Sequence, residues 1–333
     1  MPLPEKALIA RIRRMAVQIG KGRAGRSARP TPNVLTGIGD DCAVLQPRPG
    51  REILVTTDFT LEGIHFRRDW RPAESVGHLA LARGLSDIAA MGGEPVAAFL
   101  SLALPRDLPQ AWVDRFVRGF MSLAKKHGVI LAGGDTAESP GGILVDIIVV
   151  GTAPKGKAVL RSGARPGDRI YVSGQLGGSA AAVVEMRSQP AKKLNPRNYA
   201  RHFYPEPRIE LGRILRQKGL VTAMIDLSDG LSTDLAHICD ESGVGAEIES
   251  TVIPLARVGG SRHEVPLDLA LHGGEDYELL FTARPGKRVP SRIAGIPLTQ
   301  IGHITRRRKI FLFNHRQNVS YELIPRGWEH FRR

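Results

Sequence analysis

Residues 221–241 read VTAMIDLSDGLSTDLAHICDE, and they contain a complete turn of α/β architecture. Val221–Ile225 is a short apolar run of the length expected for a buried strand. Asp226-Leu227-Ser228-Asp229-Gly230 breaks it with turn-forming residues, and Leu231–Glu241 then continues as a helix. Asp226 and Asp229, three residues apart, can flank the turn and N-cap the helix that begins near Leu231. Capping does not exclude metal binding at the same place.

The same alternation extends outward in both directions. Upstream lie a strand at Arg169–Ser173 and helices at Ser179–Met186 and Pro207–Lys218. Downstream the chain is richer in strands, at Glu278–Ala283, Leu298–Ile304 and Lys309–Phe313. Ala153-Pro154-Lys155-Gly156-Lys157 marks a boundary, before which the pattern has already run once. That earlier half has helices at Glu5–Ile19, Ser75–Met91 and Gln110–His127, the last ended by Gly128. Its strands are Ile53–Thr57, Pro95–Leu104, Val129–Ala132 and Ile143–Thr152. The expectation is an α/β protein of two domains, residues 1–153 and 154–333.

The 333 residues suffice for two cores, and 42% apolar with 24% charged residues is ordinary for a globular chain. The apolar runs at Val96–Leu104 and Ile143–Gly151 are too short to span a bilayer, and residues 1–20 read as an amphipathic helix rather than a signal peptide. No membrane partner is expected. Two cysteines, Cys42 and Cys239, are too few for a disulfide framework, so a reducing cytoplasm is the expected location. Cys42 reads as a small buried apolar residue.

The net charge of +14 is unusual, with cations crowding Arg11–Arg29 and Arg306–Arg333. The Gly/Arg/Pro-rich stretch Gly20–Asn33 reads as a loop. No zinc-finger, aromatic-rich RNA-binding or recognition-helix pattern accompanies the charge. It therefore reads as the solvated basic surface of a protein that handles anions, and nucleic acid is not an expected partner.

Phosphate loops are absent in a usable form. Residues 151–158, GTAPKGKA, approach the spacing of a phosphate-binding loop, but alanine follows the lysine, so the hydroxyl that would meet Mg²⁺ is missing. Gly37-Ile38-Gly39 lacks the third glycine of a dinucleotide fingerprint. What recurs instead is aspartate beside glycine, serine or threonine: Gly39-Asp40-Asp41-Cys42, Thr56-Thr57-Asp58, Leu85-Ser86-Asp87, Gly133-Gly134-Asp135-Thr136 and Asp226–Gly230. Such side chains are expected to emerge at strand ends or turns. Each motif alone is compatible with an ordinary turn aspartate bonding its own backbone. Together they match the demand of Mg²⁺ for oxygen ligands, with Thr56, Thr57 and Ser228 hydroxyls as further partners.

These segments, in this order, resemble the thiamine-monophosphate kinase family, part of the superfamily of aminoimidazole ribonucleotide synthetase and selenophosphate synthetase. The resemblance also covers Gly63-Ile64-His65-Phe66, Arg161-Ser162-Gly163-Ala164 and Gly273-Gly274-Glu275-Asp276-Tyr277-Glu278-Leu279. It implies an N-terminal mixed sheet with helices that binds ATP and Mg²⁺ and dimerises, and a C-terminal α/β domain completing the ATP and substrate site. It further implies direct transfer of the ATP γ-phosphoryl group to thiamine monophosphate. By motif position, Asp41, Thr56, Thr57, Asp58, Asp87, Asp135, Asp226 and Asp229 would bind several Mg²⁺ ions, with Asp40 an open question. Gly134, Asp135, Arg161 and Ser228 would bind ATP, and His65, Glu275 and Trp328 the thiamine substrate. Asp87, Asp135, Arg161 and Asp229 form the implied catalytic set.

A phosphate acceptor is ionised near neutral pH, which agrees with the lack of a nucleophile–base signature. Two other readings remain at this point. One is a sister enzyme that activates a carbonyl oxygen or selenide with ATP; the other is a nucleic-acid-binding protein that keeps the fold without catalysis.

Overall fold

The computed structural model describes residues 2–20, 33–38, 42–189, 193–328 and 331. The sequence readings at Gly39, Asp40 and Asp41, and at most of the basic Gly20–Asn33 stretch, lie outside the described residues. The chain forms two compact units, one of Met1–Ile88 with Gly93–Gly156, the other of Ala89–Gly92 with Lys157–Arg333. No helix among the described residues is long and apolar enough to cross a membrane.

In the first unit the elements run α1 (Glu5–Gly20), β1 (Val34–Thr36), β2 (Val44–Leu45), β3 (Arg51–Leu61) and α2 (Ala73–Ala90). They continue as β4 (Glu94–Pro105), α3 (Gln110–His127), β5 (Ile130–Ser139) and β6 (Leu144–Pro154). A mixed sheet has the order β3-β6-β4-β5, with β4 and β5 parallel and the other pairs antiparallel. The crossover that parallel strands require is α3. Val76, Leu79, Leu81 and Leu85 on α2 and Val145, Ile147 and Val149 on β6 are fully buried, so α2 forms much of this core. α2 meets α3 through small residues: a Cβ on Gly77 would lie 2.0 Å from the Phe116 carbonyl, and one on Gly119 1.8 Å from that of Glu74.

The second unit contains β7 (Arg169–Ser173), α4 (Gly178–Ser188), α5 (Ala200–Phe203), α6 (Ile209–Gln217), β8 (Ala223–Asp226) and α7 (Leu231–Ser242). Then follow β9 (Gly245–Glu249), α8 (Leu267–His272), β10 (Leu279–Ala283), β11 (Arg292–Ile293), β12 (Ile296–Thr305), β13 (Ile310–Asn314) and β14 (Val319–Glu322). Its sheet has the order β14-β13-β9-β12-β7-β10-β8, with β11 joined to β12. Leu231, Leu235 and Ile238, one face of α7, pack on Ile225, Val172, Leu280 and Ile304 of that sheet.

Three sequence expectations need correction. The aspartate motifs do not all emerge at turns: Asp58 lies within β3, Asp87 within α2 and Asp135 within β5. β5 extends past Ala132 because the long β4 continues to pair with it, Leu100 with Gly134 and Ser101 with Asp135. A Cβ on Gly134 would lie 1.9 Å from the Leu100 carbonyl, so glycine there allows the close pairing. The N-cap of α7 is Gly230, with no cap bond from Asp229. Asp234 instead reaches back from the first turn, accepting from the Gly230 N–H at 3.0 Å and the Asp229 N–H at 3.2 Å. Finally, Cys42 is exposed, in a bend ahead of the two-residue β2, while Cys239 is buried on α7. Burial pushes the Cys239 thiol up to about 12, with Asp240 adding to the shift, which makes it inert.

Candidate active site

The first unit presents its acidic residues on two faces of one sheet. On the helix-covered face, Thr56 and Asp58 alternate along β3 and meet Arg83 and Asp87, one turn apart on α2. The Thr56 hydroxyl donates to Asp87, and Arg83 donates to Asp58 at 3.1 Å. Burial raises the Asp58 carboxyl above its ordinary range; Arg83 offsets part of this and Asp146 adds to it. Thr57 points the other way, its hydroxyl donating to Asp146 at 2.7 Å.

Asp135 shares that second face. The register places Asp135, Ser101, Asp146 and Phe59 in one row across β5, β4, β6 and β3, and residues paired laterally in a sheet project to the same side. The residues Thr56, Thr57, Asp58, Asp87 and Asp135 thus form two groups, not one cluster. Asp146 and Arg83 were missed in the sequence reading. Arg83 stands beside Gly84 but is not an aspartate, so the recurring motif passed over it; Asp146 interrupts an apolar strand, a signal that could have found it. His65 sits in the turn after β3, where its Nδ1 accepts the Leu61 N–H at 3.0 Å, so its position is locally fixed.

In the second unit, Asp226 ends β8 and Asp229 lies in the turn that follows, with Asp234 beneath it on α7. Asp226 is 3% and Asp234 1% exposed, which keeps the group out of bulk water. Burial pushes the Asp234 carboxyl well up, the charges of Asp226 and Asp229 push it further, and the two backbone N–H groups oppose the shift. Ligand atoms of Asp229, Asp234 and His237 lie within 4.8 Å of one another. Close carboxylates that disfavour one another's ionisation, all offering hard oxygen donors, fit a divalent cation such as Mg²⁺.

Two more distant segments close on this turn. The 273–279 motif zips to it by backbone bonds, Glu275 N–H to the Ser228 carbonyl and Tyr277 N–H to that of Leu227, both at 2.8 Å. Glu275 and Tyr277 adopt left-handed φ values of 63° and 50°, a conformation that costs non-glycine residues on the order of 1–3 kcal/mol. The C-terminal segment lies over the start of α7: Gly327 N–H donates to Thr233 Oγ1 at 3.0 Å and Trp328 N–H to the Asp229 carbonyl at 3.2 Å. Trp328 is 49% exposed, leaving ring surface for a ligand. Ser228, Asp229, Glu275 and Trp328 are therefore neighbours. Arg161 is not joined to them among the described residues; it is exposed, and its carbonyl accepts from Ser242 at the far end of α7.

Beneath the 273–279 motif the side chains alternate into a buried layer. Asp276 accepts the Gly177 N–H at 2.7 Å, at the start of α4. Burial pushes the Asp276 carboxyl up to about 7, the Gly177 bond opposes this and Glu278 adds to it. Because the folded carboxyl holds its proton more tightly than the unfolded chain, this group adds stability at low pH. That stability is lost as pH rises from about 4 to about 7, at up to about 1.4 kcal/mol per pH unit. Asp276→Asn keeps an acceptor for Gly177 and should flatten this part of the stability–pH curve, as read by urea midpoints at pH 5 and pH 7.5. An unchanged slope would show that Asp276 does not titrate in this window.

Comparison with known proteins adds a further line of support. Residues 39–153 match the model of the AIR synthase related protein N-terminal domain, and residues 165–313 that of the C-terminal domain. The thiamine-monophosphate kinase of Escherichia coli (strain K12) is 40% identical over 310 residues, covering 90% of this chain and 93% of that one. The crystal structure of thiamine-monophosphate kinase from Stenotrophomonas maltophilia K279a superposes with a TM-score of 0.78 at 36% identity, covering 94% and 97% of the two chains. AaThiL complexed with AMPPCP and TMP superposes at 0.75 with 34% identity, covering 88% and 92%.

Proposed function

Because the chain belongs to the thiamine-monophosphate kinase family, we infer that it transfers the γ-phosphoryl group of ATP to thiamine monophosphate, giving thiamine diphosphate and ADP. The observation that carries this reading is the convergence of the 273–279 motif and the C-terminal Trp328 on the Asp226–Asp229 turn. That turn carries the carboxylates of Asp226 and Asp229, and backbone bonds bring Glu275 and Trp328 beside it.

The residues then divide the work. Within the second unit Asp226 and Asp229 would hold Mg²⁺; within the first, Thr56, Asp58 and Asp87 on one face and Thr57 and Asp135 on the other, with Asp41, would serve further Mg²⁺ ions. When bound, Mg²⁺ offsets the repulsion between the two phosphates. Gly134, Asp135, Ser228 and Arg161 would contact ATP, with Arg161, at the far end of α7 from the Asp226–Asp229 turn, assigned to a part of the nucleotide away from the transferred group. Glu275 complements the cationic thiazolium, Trp328 stacks on a thiamine ring, and His65 completes the substrate contacts. A cation over the indole contributes about 0.5–2 kcal/mol. The acceptor phosphate already carries its charge, so no side chain has to remove a proton. The reaction is tested by incubating the protein with ATP, Mg²⁺ and thiamine monophosphate and separating the products. Thiamine diphosphate supports the reading, and its absence alongside ATP turnover on another acceptor would favour a sister enzyme.

The working form is a homodimer in the cytoplasm, built on the first unit. β3 is a sheet edge of eleven residues, and on its outer face Ile53, Val55 and Phe59 are 49%, 66% and 54% exposed. An apolar edge of this length calls for a cover. A twofold interface uses each residue twice, and burying one such side chain contributes about 1.5–3 kcal/mol. Light scattering should find a dimer for the parent and a monomer for Val55→Asp/Phe59→Asp at micromolar concentration. A parent that is already monomeric would sink the assignment.

A further inference from the structure

The charge of +14 is not used by the chemistry above, and the register of the second unit gathers part of it in one place. The active-site turn leaves one end of the sheet, after Asp226 on β8 and opposite Leu279 on β10. At the other end Arg169 pairs with both Ala283 and His303, Thr305 pairs with Gly245, and Ile310 pairs with Ala246. That end therefore collects Arg165 and Arg169 at the start of β7, Arg284 just after β10, and the run 306–309 between β12 and β13. All are exposed.

These cations are unneutralised to an unusual degree. Among the described residues Lys309 alone of this set is in an ion pair, with Glu322 at 2.5 Å. The Arg307 guanidinium lies over the Phe311 ring, 4.8 Å from its centroid, with its polar edge left open. Asp168 on the same end is buried and bonded to the Thr222 hydroxyl at 2.7 Å, so it offsets the rim poorly. The exposed carboxylates Asp240 and Glu241 close α7 nearby and are outnumbered. The five strand positions from β10 to β13 span about 19 Å at the usual strand spacing. A strand of five residues separates the rim from the active-site turn by about 16 Å.

Reversing the expectation from sequence that nucleic acid is not a partner, we propose that this arginine rim is a second binding surface, taking the phosphodiester backbone of a single-stranded nucleic acid. A line of fixed cations suits a string of phosphates better than one phosphate. Arginine presents a planar fork that bonds phosphate oxygens in pairs, and the stacked Arg307 can also face a base. Among the described residues the rim cations lie on strand ends and the turns between them, not along a helix that could enter a duplex groove. A membrane surface would need apolar anchors gathered beside the charge; among the described residues Tyr321 and Ile324 lie at the β14 edge and Leu160 beside β8 at the opposite edge, so they form no single anchor.

The test uses the full chain and a labelled single-stranded oligonucleotide of about 16 nucleotides, followed by fluorescence anisotropy. With four or five phosphates neutralised, log K should fall against log salt with a slope of roughly −3. Arg306→Glu/Arg307→Glu should weaken binding at least tenfold while thiamine diphosphate formation and melting temperature stay at parent values; Arg308 is left unchanged because it packs beside Gly243, next to the Ser242 that bonds Arg161. Arg169→Glu/Arg284→Glu, on other strands, should weaken it similarly and serves if the first variant misfolds. Binding unchanged in both variants would overturn the proposal, as would equal affinity for inorganic polyphosphate or for anionic lipid vesicles. Loss of rim binding with intact kinase activity keeps this inference separate from the catalytic one.

Discussion

Asp87→Asn should lower thiamine monophosphate turnover by at least about a hundredfold, since even the outer partners of metal ligands are worth 10–100-fold. The substitution removes one negative charge and almost no volume. Asp87 is held in place by the Thr56 hydroxyl and lies one helical turn from Arg83, which binds Asp58. The buried side of α2 is formed by Val76, Leu79, Leu81 and Leu85, none of which the change touches. The melting temperature should therefore stay within a few degrees of the parent while kcat falls. Thr56→Val, which loses only the hydroxyl that orients Asp87, should cost less, about 10–100-fold. A variant Asp87→Asn with parental kcat and KM would remove this residue from the site.

Glu278→Ala should produce the largest loss of stability. The Glu278 carboxylate is fully buried and accepts from Arg208 Nε at 2.7 Å, Arg201 at 3.1 Å and the Ser173 hydroxyl at 2.6 Å. Burial disfavours the Arg208 charge, yet its bonds to Glu278 and the charge of Glu206 outweigh this and leave its pKa raised. Removing the carboxylate strands that guanidinium, a change that typically costs about 3–5 kcal/mol. In a unit of this size the melting temperature should fall by roughly 6–20 °C. The packing is equally strict from the other side: a Cβ on Gly174, whose φ is 60°, would lie 1.9 Å from Glu278 Oε1. Leu227 N–H bonds the Glu278 carbonyl at 2.8 Å, so the same change should loosen the Asp226–Asp229 turn. A melting temperature within two degrees or so of the parent would show that the network relaxes without strain.

How much was legible beforehand depended on whether the signal was local. Helix α3 could be read because Trp112, Phe116, Phe120 and Leu123 recur with its period and Gly128 stops it. The 226–230 turn was equally plain, because glycine and aspartate interrupt an apolar run. β5 was cut short because its continuation through Gly133-Gly134-Asp135 depends on pairing with β4, a partner about 30 residues away in sequence. Strand β9 was missed: its Gly245-Ala246-Glu247-Ile248-Glu249 carries little strand propensity and is held by neighbours on both sides. The site behaved in the same way. The aspartates announced themselves, whereas Asp146, Arg83 and Asp234 gain their meaning only from contacts across strands and turns. The sidedness of β3, which separates Thr57 from Thr56 and Asp58, follows from a period of two once the strand is recognised.

Following the γ-phosphoryl group itself is the most direct test of the central claim. With ATP labelled at the γ-phosphate, Mg²⁺ and unlabelled thiamine monophosphate, the label should appear on the terminal phosphate of thiamine diphosphate, one ADP forming per product. Label released as inorganic phosphate, with thiamine monophosphate recovered unchanged, would contradict the account.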